Sequence, residues 1–191
     1  MTPLPDTLLE AVAAAAVREG LADAVFTRLR TPIGRLLVVQ GAAGVIRVGF
    51  EEEPEDHVLA EVAGRLGPRI VGSDRELAGT RDALEAYFAG EGPIGVPVDL
   101  SLVGAPFRRA VLETLHDSVA EGEVVTYGAL ARLAGNERAF RAAATACARN
   151  PVPIVVPCHR VLPAGGGIGR YGGGPERKRA LLEFEGSLPS A

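Results

Sequence analysis

Residues Ile154 to Val161 read IVVPCHRV, an apolar run rich in β-branched side chains that leads into a cysteine and a histidine. Such a run predicts a buried strand. A glycine-rich loop from Ala164 to Gly174 follows it, so Cys158 and His159 are expected where a strand opens into a loop. A thiol in that position favours a reactive cysteine over the more common small core residue.

Composition restricts the class of protein. Two cysteines, Cys147 and Cys158, are too few to cross-link a chain of 191 residues and do not form a CxxC pair, which indicates a reducing compartment. No histidine lies at zinc-ligand spacing from a cysteine, so we expect no metal site. Asp6 and Glu10 stand where a secretory signal carries basic residues, and the apolar run from Ala11 to Ala16 is too short to span a bilayer. We therefore expect a cytoplasmic protein without a membrane segment.

The net charge of −4 conceals an asymmetry between the two halves of the chain. Residues 1–100 contain 9 lysine and arginine residues against 16 aspartate and glutamate residues, whereas residues 101–191 contain 11 against 8. The halves therefore carry −7 and +3. An acidic supporting domain followed by a domain that faces nucleic acid would have this distribution.

The N-terminal half predicts a helix, an antiparallel meander and two further helices. The first helix is expected from Thr7 to Ala24, with an apolar face formed by Leu8, Leu9, Val12, Val17 and Leu21. The three strands and the two later helices are expected at Val25–Arg30, Arg35–Gln40, Val45–Phe50, Glu55–Leu66 and Asp74–Ala89. Glycines and prolines from Gly90 to Pro97 are typical of a linker. We place a domain boundary near residue 95, with residues 1–24 as an extension helix, 25–95 as a supporting domain and 96–191 as the domain that contains Cys158.

The C-terminal half predicts a helix from Pro106 to Ser118, then two short helices that meet at Gly135-Asn136. Asn136 is a good N-cap for the second of them, expected from Glu137 to Arg149. Two short helices joined in this way are typical of a helix-turn-helix motif, whose second helix usually touches nucleic acid.

One face of that second helix is rich in arginine. At about 100° per residue, Arg138, Arg141 and Arg149 lie on the same side, with Thr145 beside them. Small side chains between the arginines would let the helix approach a phosphate chain, whereas an ordinary solvated face is the alternative interpretation. The opposite face, toward the core, is expected to carry Phe140, Ala143 and Cys147.

The Pro157-Cys158-His159-Arg160 core, with Asn150-Pro151-Val152-Pro153 before it, resembles the active site of the O(6)-alkylguanine-DNA alkyltransferases, also called methylated-DNA-protein-cysteine methyltransferases. The resemblance extends over roughly residues 25–186. It implies an α+β fold, with an N-terminal ribonuclease-H-like α/β domain that contains the meander and a mostly helical, winged helix-turn-helix C-terminal domain. It also implies an activity, the single-turnover transfer of an alkyl group from guanine O(6) in DNA to a cysteine that stays modified.

The resemblance implies roles for the residues around the cysteine. Cys158 is the alkyl acceptor, His159 increases its thiolate fraction, and Glu185 holds the imidazole. Asn150 orders the turn beneath the site. Glu183 competes for the role of Glu185, because a helix end rich in carboxylates is often only solvated.

Further residues are implied to bind the damaged nucleotide. Arg141 matches the arginine that replaces the extruded base in the stack, and Tyr127 matches the tyrosine that helps to turn the nucleotide out. Tyr171 matches a tyrosine that donates to the guanine oxygen. The remaining expected contacts are made by Arg138, Thr145, Val161 and Gly172.

The implied partner is double-stranded DNA that carries O(6)-alkylguanine, bound by a monomer through the minor groove. Activity on O(4)-methylthymine and cooperative assembly on DNA both stay open. No cofactor is expected, since the damaged DNA is itself the alkyl donor, and the structural zinc of some relatives is not expected here. Three positions depart from the family pattern: Ala144 replaces a glycine, Gly172 a serine or alanine, and Cys147 an asparagine or methionine.

Three other functions fit part of the pattern. A lesion sensor of the alkyltransferase-like kind lacks the cysteine, which is present here as Cys158. A cysteine hydrolase that uses Cys158 and His159 gives no reason for the arginine-rich helix. A transcription regulator would carry a fused domain with a cysteine cluster. The GxGxxG spacing from Gly167 to Gly172 is not expected to bind a dinucleotide, because no helix opens directly after it.

Overall fold

The apolar runs that follow residue 24 form an antiparallel meander in the computed structural model, which describes residues 5–188. Strands β1 (Ala24–Thr31), β2 (Gly34–Gly41) and β3 (Gly44–Phe50) pair in sequence order, as predicted. Strand β4 (Ile70–Gly72) adds to β1 in parallel, so the sheet order is β3-β2-β1-β4. Strand β4 was not predicted, because a strand of three residues is too short to show a period.

Two helices bury their apolar stripes against the sheet. Helix α2 (Glu55–Leu66) has the predicted bounds and packs Val58 and Val62 into a core with Val39 and Ile46. Helix α3 (Ala78–Phe88) begins later than predicted, because the Ser73 hydroxyl accepts from the Glu76 amide 3.1 Å away and holds the preceding residues in a turn.

The N-terminal helix α1 (Asp6–Arg18) is shorter than predicted, and its expected apolar face is wrong. Leu8, Leu9, Val12 and Leu21 are each about half exposed, whereas Ala13 is buried. The carboxylate of Glu10 fixes the helix rotation, because it accepts hydrogen bonds from the Ser73 hydroxyl and from the Asp74 amide. The helix therefore docks through small side chains and one polar contact.

The chain divides into two compact units, of which the first ends at Leu102 and the second begins at Val103. This division lies beyond the boundary expected near residue 95. The extra segment stays with the first unit because the Val45 amide donates to Pro97 O over 2.8 Å and the Asp99 amide donates to Val45 O over 2.9 Å. Residues 1–4 and 189–191, at the outer ends of the predicted segments, lie outside the described residues.

The second unit is mostly helical. Helix α4 (Pro106–Ser118) has the predicted bounds and contacts helices α5 (Tyr127–Leu133) and α6 (Phe140–Ala148), which form the expected helix-turn-helix pair. A 3₁₀ turn, Glu137–Ala139, joins that pair, and the Asn136 side chain caps it by accepting from the Arg138 amide. Strands β5 (Val125–Thr126) and β6 (Val161–Leu162) pair in parallel, and helix α7 (Pro175–Phe184) follows the glycine-rich loop.

The predicted mixed fold is therefore confirmed, with a sheet-containing N-terminal unit and a helical C-terminal unit. Among residues 5–188, no helix has both the length and the apolar character needed to cross a bilayer.

Candidate active site

The segment before Cys158 is a compact turn, so the strand expected there is wrong. Three of its residues lack the N–H donor that a strand ladder requires: Pro151, Pro153 and Pro157. Ile154 adopts a φ of 76°, a conformation that β-branched residues rarely take, and its buried side chain holds it there. The chain then enters a 3₁₀ helix, Cys158–Arg160. Because this helix has three residues per turn, the side chains of Cys158 and His159 point in directions about 120° apart.

Asn150 connects this turn to the thiol. Its Nδ2 donates to Val156 O over 2.8 Å and to Cys158 Sγ over 3.1 Å, while its Oδ1 accepts from the Val152 amide over 3.0 Å. One side chain therefore fixes the backbone before Cys158 and stabilises negative charge on the sulfur.

Cys158 is buried, with only 5% of its surface exposed. Burial raises the pKa of the Cys158 thiol to about 11, although the hydrogen bond from Asn150 and the positive charge of Lys178 oppose that rise. The thiol is therefore protonated at neutral pH, and a nucleophilic thiolate requires a base in the site.

His159 is fully buried next to Cys158 and is held by Glu185. Its Nε2 lies 3.0 Å from Glu185 Oε1, as the resemblance predicts. Arg160 binds the same carboxylate, with Nε 2.9 Å from Oε2 and Nη2 2.7 Å from Oε1. Glu183, the competing carboxylate, is exposed to solvent. The structure therefore brings Glu185, and not Glu183, to the imidazole.

These contacts determine which imidazole nitrogen can act as a base. The Glu185 carboxylate accepts from Arg160, so we assign the proton of His159 to Nε2, which donates to the same carboxylate. Nδ1 is buried and has no hydrogen-bond partner among the described residues. Burial lowers the pKa of His159, and the adjacent Glu185 opposes part of that shift. His159 is thus neutral at pH 7 and has an unprotonated Nδ1.

A cavity of about 670 Å³ opens beside the thiol. Its wall contains Cys158 and four of the residues expected to bind the nucleotide: Tyr127, Thr145, Tyr171 and Gly172. Its other lining residues are Ala144, Cys147, Ala148, Pro163, Gly169 and Arg170. The Tyr171 ring stands edge-on to His159, with 6.4 Å between centroids. Burial raises the pKa of Tyr127, so its hydroxyl stays a hydrogen-bond donor at neutral pH.

Helix α6 presents the predicted arginine face to solvent. Arg138 and Arg141 are exposed, and the Thr145 hydroxyl donates back to Arg141 O over 2.9 Å. The prediction that Phe140 points into the core is wrong, because half of its surface is exposed and the Arg141 guanidinium lies 5.6 Å from its ring centroid. The 3₁₀ turn before Phe140 advances about 120° per residue instead of 100°, which changes where the first helical residue points.

Val161 contributes its backbone to the site. Its side chain is buried, and its carbonyl accepts from Lys178 Nζ over 2.7 Å. Sequence reasoning identified Val161 but missed both Lys178 and the part that Arg160 takes in holding Glu185.

Comparison with known proteins agrees with this geometry. Residues 106–187 match the family model described as the DNA-binding domain of 6-O-methylguanine DNA methyltransferase. A methylated-DNA–protein-cysteine methyltransferase of Shigella flexneri is 37% identical over 163 residues, which cover 84% of this chain and 95% of the relative. The chain belongs to this family.

Other members of the methylated-DNA–protein-cysteine methyltransferase family show the same correspondence. The protein of Haemophilus influenzae is 32% identical over 165 residues, covering 84% of this chain and 85% of the relative. A crystal structure of Mycobacterium tuberculosis OGT in complex with DNA superposes with a TM-score of 0.72 at 34% identity, covering 85% of this chain and 93% of that chain. The similarity to these methyltransferases therefore extends over both units of this chain.

The three departures from the family pattern all line the cavity of this methyltransferase. A side chain at Gly172 would meet no atom within 4 Å, so a serine or alanine fits that position without rearrangement. Cys147 is buried, and burial followed by the nearby Cys158 raises the pKa of its thiol far above the usual range. Cys147 is therefore a protonated, weakly nucleophilic neighbour of Cys158.

Proposed function

We propose that this protein repairs DNA by moving the alkyl group of O(6)-alkylguanine to Cys158 in a single turnover. The observation that carries the proposal is the position of Cys158 in the cavity wall, next to a buried imidazole that Glu185 and Arg160 hold in one orientation. A structural cysteine needs neither a cavity nor a buried base. Membership of the methyltransferase family supports the same activity.

The reaction requires one proton transfer and one displacement at carbon. The Cys158 proton passes to His159 Nδ1, through a water molecule as the family resemblance implies, and the thiolate attacks the alkyl carbon. A carbon–sulfur bond forms while the bond from carbon to O(6) breaks, and the electron pair leaves with guanine. The Tyr171 hydroxyl donates a hydrogen bond to the leaving oxygen, and the proton that His159 took from Cys158 passes through water to the guanine, which departs as a neutral base. Because the thioether is stable, Cys158 stays modified and the protein acts once.

The lesion must leave the base stack before it reaches Cys158, since a base within a duplex is hidden. Arg141 is exposed on α6 and is the residue that fills the gap left by the base. Tyr127 stands in the cavity wall and contacts the extruded nucleotide. Arg138 and Thr145 face the backbone from the same exposed side, and the helix enters the minor groove, in which an extruded base can be replaced by a side chain.

The double-stranded DNA partner is supported by the crystal structure of the Mycobacterium tuberculosis relative in complex with DNA. Within the proposal, one monomer acts on one lesion in the cytoplasm, and its thiol stays reduced there.

Counting repaired lesions tests the proposal. With duplex DNA that carries O(6)-methylguanine in excess over protein, we expect the amount of restored guanine to equal the amount of protein and then to stop. The variant Cys158→Ser should bind the lesion and restore no guanine. Continued turnover in the native protein, or repair by Cys158→Ser, would contradict the proposal.

A further inference from the structure

The chain contains one lysine, and that lysine is buried at the site. Of the 20 lysine and arginine residues, 19 are arginine and one is Lys178. Lys178 lies on α7 and has no exposed surface, and its Nζ donates to Val161 O over 2.7 Å. The one lysine therefore lies where a cation is costly to bury, whereas the buried Arg160 is paired with the Glu185 carboxylate.

No carboxylate neutralises Lys178 within residues 5–188. The buried carboxylate of the site, Glu185, accepts hydrogen bonds from His159 and Arg160. Lys178 Nζ instead binds the carbonyl of Val161, which directly follows the 3₁₀ turn that contains Cys158 and His159. Its positive charge opposes the rise in the pKa of Cys158 and of Cys147 on α6 and contributes to the lowered pKa of His159. In return, negative charge on either sulfur raises the pKa of Lys178, against the lowering caused by burial.

We propose that Lys178 is a positioning residue for alkyl transfer, whose ammonium is the counter-ion of the Cys158 thiolate. The inference rests on the proposed acceptor role of Cys158. The Cys158 proton goes to His159, and Lys178 neither gains nor loses a proton, so its fixed charge increases the thiolate fraction. The Glu185 carboxylate opposes this effect, but the Arg160 guanidinium beside it cancels most of its charge.

The chemistry of lysine suits this position. An ammonium is a compact charge with three donors, so it can bind Val161 O and still act on the sulfur. Alkylation turns the sulfur into a neutral thioether, so the ammonium of Lys178 then loses its counter-ion.

The pH profile of Cys158 reactivity tests the proposal without DNA. Iodoacetamide reacts with thiolates, and peptide mapping by mass spectrometry separates Cys158 from Cys147. Lys178→Gln keeps a donor for Val161 O and removes the charge. We expect it to raise the apparent pKa of Cys158 by about one unit, which lowers the rate about tenfold at every pH below that pKa.

Two matched variants complete the test. Lys178→Arg retains the charge and should keep the native pH profile, and Arg179→Gln removes an exposed charge from the neighbouring position and should also leave the profile unchanged. A native profile in Lys178→Gln would overturn the proposal. An equal loss of rate in Lys178→Gln and Lys178→Arg would also overturn it, because that result indicates a structural role.

A second measurement uses the native protein, so its result does not depend on the folding of any variant. Because the chain has one lysine, selective ¹³Cε labelling of lysine yields one side-chain resonance in NMR, which reports the pKa of Lys178 directly. S-carboxymethylation of Cys158 with iodoacetate should raise that pKa, since it places a permanent negative charge beside the ammonium. An unchanged pKa would overturn the proposal. If modification of Cys158 shifts the pKa of Lys178 but damaged DNA does not methylate Cys158, the proposed repair function is wrong and the inference about Lys178 stands.

Discussion

At the residue scale, one carboxylate organises the proton chemistry of the site. Glu185 fixes the tautomer of His159 through Nε2 and is itself neutralised by Arg160. The imidazole is therefore held without being charged, and Nδ1 stays unprotonated and able to accept a proton. The resemblance predicted the contact between His159 and Glu185. It could not predict the contribution of Arg160, because the direction of that side chain depends on the 3₁₀ turn, which the sequence did not indicate.

Replacing Glu185 with glutamine should slow methyl transfer at neutral pH by at least about tenfold. The physical reason is that Glu185 raises the pKa of His159 against burial, and the variant loses that effect. Single-turnover transfer from an O(6)-methylguanine duplex measures the rate. Glu183→Gln removes an exposed carboxylate near the end of the same helix and should change the rate by less than about twofold. Equal effects of the two substitutions would contradict the assignment of Glu185.

At the scale of elements, helix α6 and the glycine-rich loop border the cavity from two sides. Cys147 points inward from α6, while Arg138 and Arg141 point to solvent. One helix thus lines the cavity that contains Cys158 and presents the surface proposed to bind DNA.

The substitution Arg141→Ala should slow transfer from duplex DNA more than transfer from free O(6)-benzylguanine, because only the duplex requires a residue to fill the gap left by the base. Rates with both substrates measure the effect. Arg75→Ala, which removes an exposed charge from the N-terminal unit, is the control and should affect neither rate. Equal losses on the two substrates in Arg141→Ala would contradict the flipping role.

Two glycines of the loop should respond differently to alanine. Gly172 has open space around it, so Gly172→Ala should leave loop stability within about 0.5 kcal/mol of native. Gly169 has a φ of +68°, and its side chain would approach Pro163 Cγ to 2.9 Å, so Gly169→Ala should loosen the loop. Hydrogen exchange of residues 163–174 compares the two variants. Equal protection in both would show that the loop conformation does not depend on Gly169.

Sequence periodicity predicted the elements whose partners are local. The meander and helices α2 and α4 have apolar patterns that are long enough to show their period, and their bounds agree with the structure. The strand before Cys158 failed because three prolines outweigh β-branched propensity. The predicted buried face of α1 was wrong because a single carboxylate, Glu10, sets the rotation of the helix through contacts with residues distant in sequence.

At the scale of the whole molecule, the two units differ in charge and in the structural features that they contain. The acidic N-terminal half holds the sheet, and the more basic C-terminal half holds the cavity and Cys158. The distribution of charge predicted this division. The one lysine among 19 arginines was also visible in the sequence, but only its burial showed that it belongs to the site.

The C-terminal unit should lose stability in mild acid. Burial holds the pKa of His159 below its ordinary value of about 6.5, so below that pH the unfolded chain binds a proton that the folded site does not. The free energy of unfolding should fall by up to about 1.4 kcal/mol per pH unit as pH decreases from 6.5 toward the folded pKa. Hydrogen exchange from residue 103 onward, corrected for intrinsic rates, measures this, and His159→Gln should flatten the profile. Constant stability of the native protein across this range would contradict the assignment.

The mass of the protein after contact with damaged DNA tests the central claim most directly. The purified protein is incubated with excess duplex that carries one O(6)-methylguanine, and its intact mass and peptides are then measured. We predict one methyl group per molecule, located on the peptide that contains Cys158, with the Cys147 peptide unchanged. A protein that binds the lesion and stays unmodified, or that carries the methyl group at another residue, would contradict the account.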